Sequence, residues 1–140
     1  MPTTLVEPIP QGTRASLDEL LDTFLGVVPE ATGVVVAGPN GNPVASTLPE
    51  EQRIQVLAAT AMAKLAMWAG DAVAANLRLP GMHVVTIEGP GWKVIFAPTP
   101  SHSGSVLVTI EEPSDATPIH QALPGLLEAV DRTLDAGAVR

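Results

Sequence analysis

The stretch from Glu50 to Leu79, EEQRIQVLAATAMAKLAMWAGDAVAANLRL, decides how the rest of the chain must be arranged. Pro49, Glu50 and Glu51 suit a helix start, because proline needs no amide partner there and carboxylates favour the positive end of the helix dipole. Pro80-Gly81 supplies the stop. Between them, Ile54, Leu57, Ala58, Ala61, Leu65, Trp68 and Ala72 form one apolar row. Val56, Ala59, Ala63, Ala66, Met67, Val73, Ala74 and Leu77 then carry the apolar surface round the cylinder. Arg53, Thr60, Lys64, Asp71 and Arg78 fall at offsets of seven, four, seven and seven, along one narrow strip that is expected to be the exposed part. A helix apolar on two sides must bury two sides, and one sheet covers only one of them. The alanines and Gly70 would let a second helix approach closely, and a two-fold dimer is the commonest closure for such a surface. The competing explanation is that alanine signals helix propensity alone, with the helix covered by neighbouring loops.

Upstream, Ser16 followed by Glu19 reads as a capping box. Leu17, Leu20, Leu21, Phe24, Leu25 and Val28 recur on one helical face up to Pro29. Gly33 to Ala37 and Pro43 to Thr47 read as two strands joined by the turn Gly38-Pro39-Asn40-Gly41-Asn42. Downstream, Met82 to Glu88, Trp92 to Pro98 and Ser105 to Glu111 read as a meander, its first turn being Gly89-Pro90-Gly91. Ile119, Leu123, Leu126, Leu127, Val130 and Leu134 line a final helix that Pro124-Gly125 is expected to kink or delay, unless Pro124 begins a shorter one. The fold class is therefore α+β, with one five-stranded antiparallel sheet in the order α-β-β-α-β-β-β-α. Residues 1–15 are expected to form a disordered, proline-containing tail and residues 16–136 a single domain.

With 140 residues, 46% of them hydrophobic, the chain has room for one domain with a real core. Its formal net charge of −8 disfavours nucleic acid and anionic membrane surfaces as partners. The absence of cysteine excludes disulfides, thiolate catalysis and thiolate-bound metal, and fits a cytoplasmic protein. Gln55, Lys64, Asp71 and Asn76 would be costly in hydrocarbon, so no membrane insertion is expected of the central helix.

The order of elements, with a Gly-Val-Val-Val-Ala strand leading through an Asn-Gly turn and a second strand into the alanine-rich helix, resembles the roadblock/dynein light chain family. The resemblance covers about Leu17 to Leu134. It implies a sheet with the first and last helices on one face and the central helix on the other. It also implies a two-fold dimer joined through the third strands and central helices, and a role as partner or regulator of a small Ras-like GTPase. On that basis Ala58, Ala61, Leu65, Val84 and Thr86 are the expected dimer contacts. Arg53, Lys64, Trp68 and Asp71 are the expected GTPase contacts, transferred by element and not by a matched motif. The loop Pro98 to Gly104 is long for the family, and Pro124-Gly125 departs from its last helix. If the terminal helices share a face, Asp18, Glu19, Asp22, Glu128, Asp131 and Asp135 make that face acidic with only Arg132 among them, and the central-helix face mixed.

Catalytic constellations are weak. His83, His102 and His120 have no second ligand at metal spacing, and no cofactor-binding motif is present. Ser101-His102-Ser103 lacks a nucleophile elbow and an orienting acid nearby in sequence. Gly38 to Asn42 has no phosphate-loop ending, and the pairs Glu50-Glu51 and Glu111-Glu112 read as solvated surface. Trp68 and Trp92 are expected in the core, with an interface role as the alternative. The resulting expectation is a non-enzymatic homodimeric adaptor without metal or cofactor. The second reading is a small-ligand sensor of PAS or profilin-like architecture, which requires a cavity.

Overall fold

The computed structural model describes residues 11–80, 83–111 and 115–138. Helix α1 (Gln11–Val27) is followed by β1 (Ala31–Ala37) and β2 (Pro43–Ser46). A 3-10 turn at Glu50–Gln52 leads into α2 (Arg53–Asn76), and β3 (Val85–Gly89), β4 (Trp92–Pro98), β5 (Ser105–Glu111) and α3 (Thr117–Ala138) complete the order. The sheet is antiparallel throughout and runs β2-β1-β5-β4-β3, so the meander and the β1–β2 hairpin meet where β1 pairs with β5. This is the expected α+β order.

Strand alternation divides the core into two layers. Val34, Val36, Ile95, Ala97, Val106, Val108 and Ile110 face α1 and α3, where Leu17, Leu21, Phe24, Ile119, Leu123, Leu126 and Val130 meet them. On the other face Val35, Phe96 and Leu107 meet Val56 and Ala63 of α2, with Leu48, Ala59, Ala66, Met67, Val85 and Val94 half-buried around them. The first layer holds most of the buried apolar surface, which places most of the fold's hydrophobic stabilisation there.

Several boundaries differ from the sequence reading. Helix α1 already includes Gln11, the first described residue, so the Ser16 capping box does not begin it; Thr13, ahead of that box, is buried. Arg14 therefore joins the outward helix layer, and residues 1–10 of the expected tail lie outside the described residues. Strand β3 starts at Val85; Val84 precedes it, and Met82 is outside the described residues. Helix α3 runs unbroken through Pro124. Proline there removes the bond to the carbonyl of His120, but both residues are exposed, so the released carbonyl lies on the solvent side.

Candidate interaction surface

Helix α2 meets the sheet through a narrow line of side chains. Val56, Thr60, Ala63 and Ala74 are its buried residues, and alanine at this line brings the helix axis close to the strands. Of the polar strip, Arg53, Lys64, Asp71 and Arg78 are exposed as the sequence suggests, and Thr60, only 2% exposed, is the exception. Its hydroxyl shares one proton between the carbonyls of Val56 at 3.2 Å and Leu57 at 3.0 Å, which satisfies it inside its own helix. One turn on, Lys64 lies against Gly41 and its Nζ donates to the Pro39 carbonyl at 3.3 Å, tying α2 to the β1–β2 turn. Gly41 has φ +84, a conformation that glycine adopts without cost.

What faces outward is apolar. Ile54, Leu65 and Trp68 are 74%, 61% and 71% exposed, and Met62, Val73 and Leu77 also stand largely in solvent. At 100° per residue, Ile54, Ala58, Ala61, Leu65 and Ala72 form the crest. Trp68 lies on the flank nearer β2, the flank that carries Lys64 and Asp71. Met62, Val73 and Leu77 occupy the flank nearer β3. Large apolar side chains that stand together in solvent, unlike singly scattered ones, mark a surface to be covered. By length and composition Glu50–Asn76 would also reach across a bilayer. Here it lies along the sheet, with the Val56–Ala63 line buried.

The expected GTPase contacts all lie on α2. Arg53 forms an exposed ion pair with Glu50 at 3.3 Å, Lys64 is engaged with Pro39, and Asp71 and Trp68 are exposed. The expected dimer contacts separate into two groups. Ala58, Ala61 and Leu65 lie together on the crest. Val84 packs against the α1/α3 core, and Thr86 stands in register with Ile95 of that same core, so both belong to the opposite face of the sheet. The structure brings neither of these to the crest; it places them beside the unpaired outer edge of β3.

Beneath the β3-side flank of α2 is a cavity of about 310 Å³, lined by Val56, Met62, Ile87, Trp92, Val94 and Phe96 among others, almost wholly apolar. The Trp92 indole crosses Gly89, where a Cβ would collide with the ring. Trp92 is 43% exposed at the cavity, so neither tryptophan is in the core. The spacing of Val85 and Ile87 was the available signal for this site. Two outward-alternating aliphatic residues on an edge strand have to face the layer that α2 only partly covers.

The opposite face is acidic as expected: Asp18, Glu19, Asp22, Glu128 and Asp135 are exposed, with Arg132 exposed and Arg14 half-buried. Asp131 has a different task. Its carboxylate accepts from Ser101 Oγ at 2.5 Å, Ser103 Oγ at 2.7 Å and the Ser101 amide at 3.1 Å. These bonds, the Ser101 hydroxyl foremost, hold its pKa below the usual carboxylate value. The fold thus supplies the acid that the Ser101-His102-Ser103 sequence lacks nearby, but the acid binds both serines directly and clamps the β4–β5 loop to α3. No group of residues able to hold a metal is found among the described residues.

An α/β sandwich with two helices on one face and a bare-crested helix on the other is the roadblock/LC7 fold. Comparison with protein-family models and with curated sequences returns no match. Among solved structures, the chain is similar to MglB of Myxococcus xanthus, at TM-score 0.76 and 11% identity over 93% of this chain and 96% of that one. An MglB with tetrameric arrangement aligns at TM-score 0.74 and 12% identity over 98% and 99% of the two chains. A roadblock/LC7 domain from Streptomyces avermitilis aligns at 0.62 and 15%, over 85% and 92%. At these identities the likeness concerns the fold.

Proposed function

We propose that this chain is a non-enzymatic, cytoplasmic adaptor or regulator that associates with a second copy of itself and binds a small Ras-like GTPase. The observation that carries the reading is the uncovered apolar crest of α2, on a fold shared with MglB structures, one of them of tetrameric arrangement. Self-association would use Ala58, Ala61 and Leu65 together with the β3 edge at Val84 and Thr86. GTPase contact would use the β2-side flank with Arg53, Lys64, Trp68 and Asp71. Assembly through α2 would remove apolar surface that the monomer leaves in water, at about 25 cal/mol per Å². A net charge of −8 supports a protein partner over nucleic acid.

Sedimentation velocity at micromolar concentration, alone and with the Ras-like GTPase encoded nearest this chain, tests the proposal. A dimer or larger assembly that captures the GTPase in a nucleotide-dependent way is the expected result. A monomer that binds no GTPase in either nucleotide state overturns it. The cavity beside α2 favours the second reading, a small-ligand sensor, but its apolar lining offers a ligand few hydrogen bonds to fix its orientation. Thermal stabilisation by one member of a metabolite panel would favour that reading instead.

A further inference from the structure

Helix α2 ends in a turn whose backbone suits glycine, yet the residue there is arginine. The Leu79 amide donates to the Ala74 carbonyl at 2.8 Å and the Arg78 amide to that of Ala75 at 3.1 Å, the two bonds of a Schellman motif. This closure puts Arg78 in the left-handed region, with φ +57. Glycine is the usual occupant, because any Cβ crowds the following carbonyl in that conformation. Asparagine can offset the strain with a local hydrogen bond, which the long arginine side chain does not make here. No hydrogen bond or ion pair ties the Arg78 guanidinium among the described residues. Leu77 and Leu79 on either side are 63% and 56% exposed. Among the described residues the strain therefore has no compensation, and uncompensated strain of this kind concentrates at binding sites.

We propose that Arg78 is a partner-contact residue, presented by the left-handed turn between two exposed leucines to a carboxylate on the partner's surface. The inference rests on the GTPase reading above and extends it to the chemistry of the contact. Charge complementarity selects the anion. Arg53 already pairs with Glu50 and Lys64 already donates to Pro39, whereas the Arg78 guanidinium has no partner among the described residues and can bond a partner at no intramolecular cost. On a chain of net charge −8, an acidic partner surface is approached only where such a local cation offsets the general repulsion. The planar guanidinium matches a carboxylate with two parallel bonds, and a partner that covers Leu77 and Leu79 would strengthen them by excluding water from both sides.

The test compares the full chain with Arg78→Gly and Arg78→Lys, measuring thermal unfolding and affinity for the neighbouring Ras-like GTPase loaded with GDP or a non-hydrolysable GTP analogue, at low and high salt. Arg78→Gly should unfold about 3 °C higher, because the strain is relieved. It should also bind about tenfold more weakly in both nucleotide states, with a flatter salt dependence. Arg78→Lys, which keeps the charge and loses the fork, should fall between. A glycine variant that is more stable and binds as well as wild type overturns the proposal, as does one that is less stable. A loss confined to the GTP form moves the anion to the nucleotide and overturns the carboxylate assignment. If the wild-type chain binds no GTPase at all, the functional reading fails and the proposal falls with it, an outcome distinct from intact binding by the variant.

Discussion

Replacing Leu65 with glutamate should take the proposed assembly apart and leave the domain folded. Leu65 is 61% exposed in the single chain, so the substitution forfeits only the smaller part of the roughly 1.5–3 kcal/mol that full burial of leucine contributes. The expected loss of fold stability is below about 1 kcal/mol, a fall in melting temperature of no more than about 3 °C. In a two-fold interface the side chain counts twice. If each copy loses about 1–2 kcal/mol of desolvation, the dimer weakens by about 2–4 kcal/mol, or about 30- to 1000-fold in Kd. A carboxylate facing its own symmetry copy adds repulsion. Val56→Ala is the matched control: Val56 is 6% exposed beneath α2, so its truncation should cost the fold about 2 kcal/mol and leave the crest intact. Sedimentation velocity across a concentration series, with circular dichroism melts, reads both quantities. The reasoning is refuted if Leu65→Glu keeps the wild-type mass at micromolar concentration, or if it melts as early as Val56→Ala.

Asp131→Ala should release the β4–β5 loop, with faster amide exchange at Ser101 and a loss of about 1 kcal/mol, discounted because the site is partly exposed. The pH sign follows from its lowered pKa: the clamp's contribution is complete above the ordinary aspartate value and disappears as pH falls through the lower folded-state value, so wild type and variant should converge in acid. Gly104→Ala should destabilise by about 1–3 kcal/mol, because the new Cβ would stand 2.5 Å from the Ala37 carbonyl oxygen and 2.9 Å from Leu134 Cδ1; a melt within 1 °C of wild type would contradict the packing. Thr60→Val should unfold within about 2 °C of wild type, since the buried hydroxyl bonds only to carbonyls of its own helix.

The element order was legible in the sequence because each element carries its own periodicity and punctuation. The Gly89-Pro90-Gly91 turn, the β-branched run through Val36 and the Leu17-Leu21-Phe24 face are local signals, and the structure uses each of them. Local signals fail where a tertiary contact decides. Thr60 looked exposed because a hydroxyl on a helix usually seeks water, yet it satisfies itself on the Val56 and Leu57 carbonyls and can enter the core. Ser101 and Asp131 lie 30 residues apart, so no spacing rule joins them. Tryptophan's size argued for burial, and both tryptophans are instead exposed in the α2 layer.

The two-sided apolar character of α2 was readable from composition, but which side meets the sheet was not. Alanine is compatible with both close packing and exposure, so a helix this rich in it gives a weak directional signal. The sheet resolves the ambiguity: Val35, Phe96 and Leu107 project from its α2 face into a shallow layer that accepts Val56, Thr60 and Ala63. The bulkier row with Ile54, Leu65 and Trp68 is then turned outward. Had burial within one chain governed the sequence, the large side chains would line the sheet and the alanines would face solvent. The reverse arrangement follows if the crest is selected for a contact outside the chain, with small residues letting the helix lie flat on its own strands. Leu65→Glu and Val56→Ala separate these two demands on one helix.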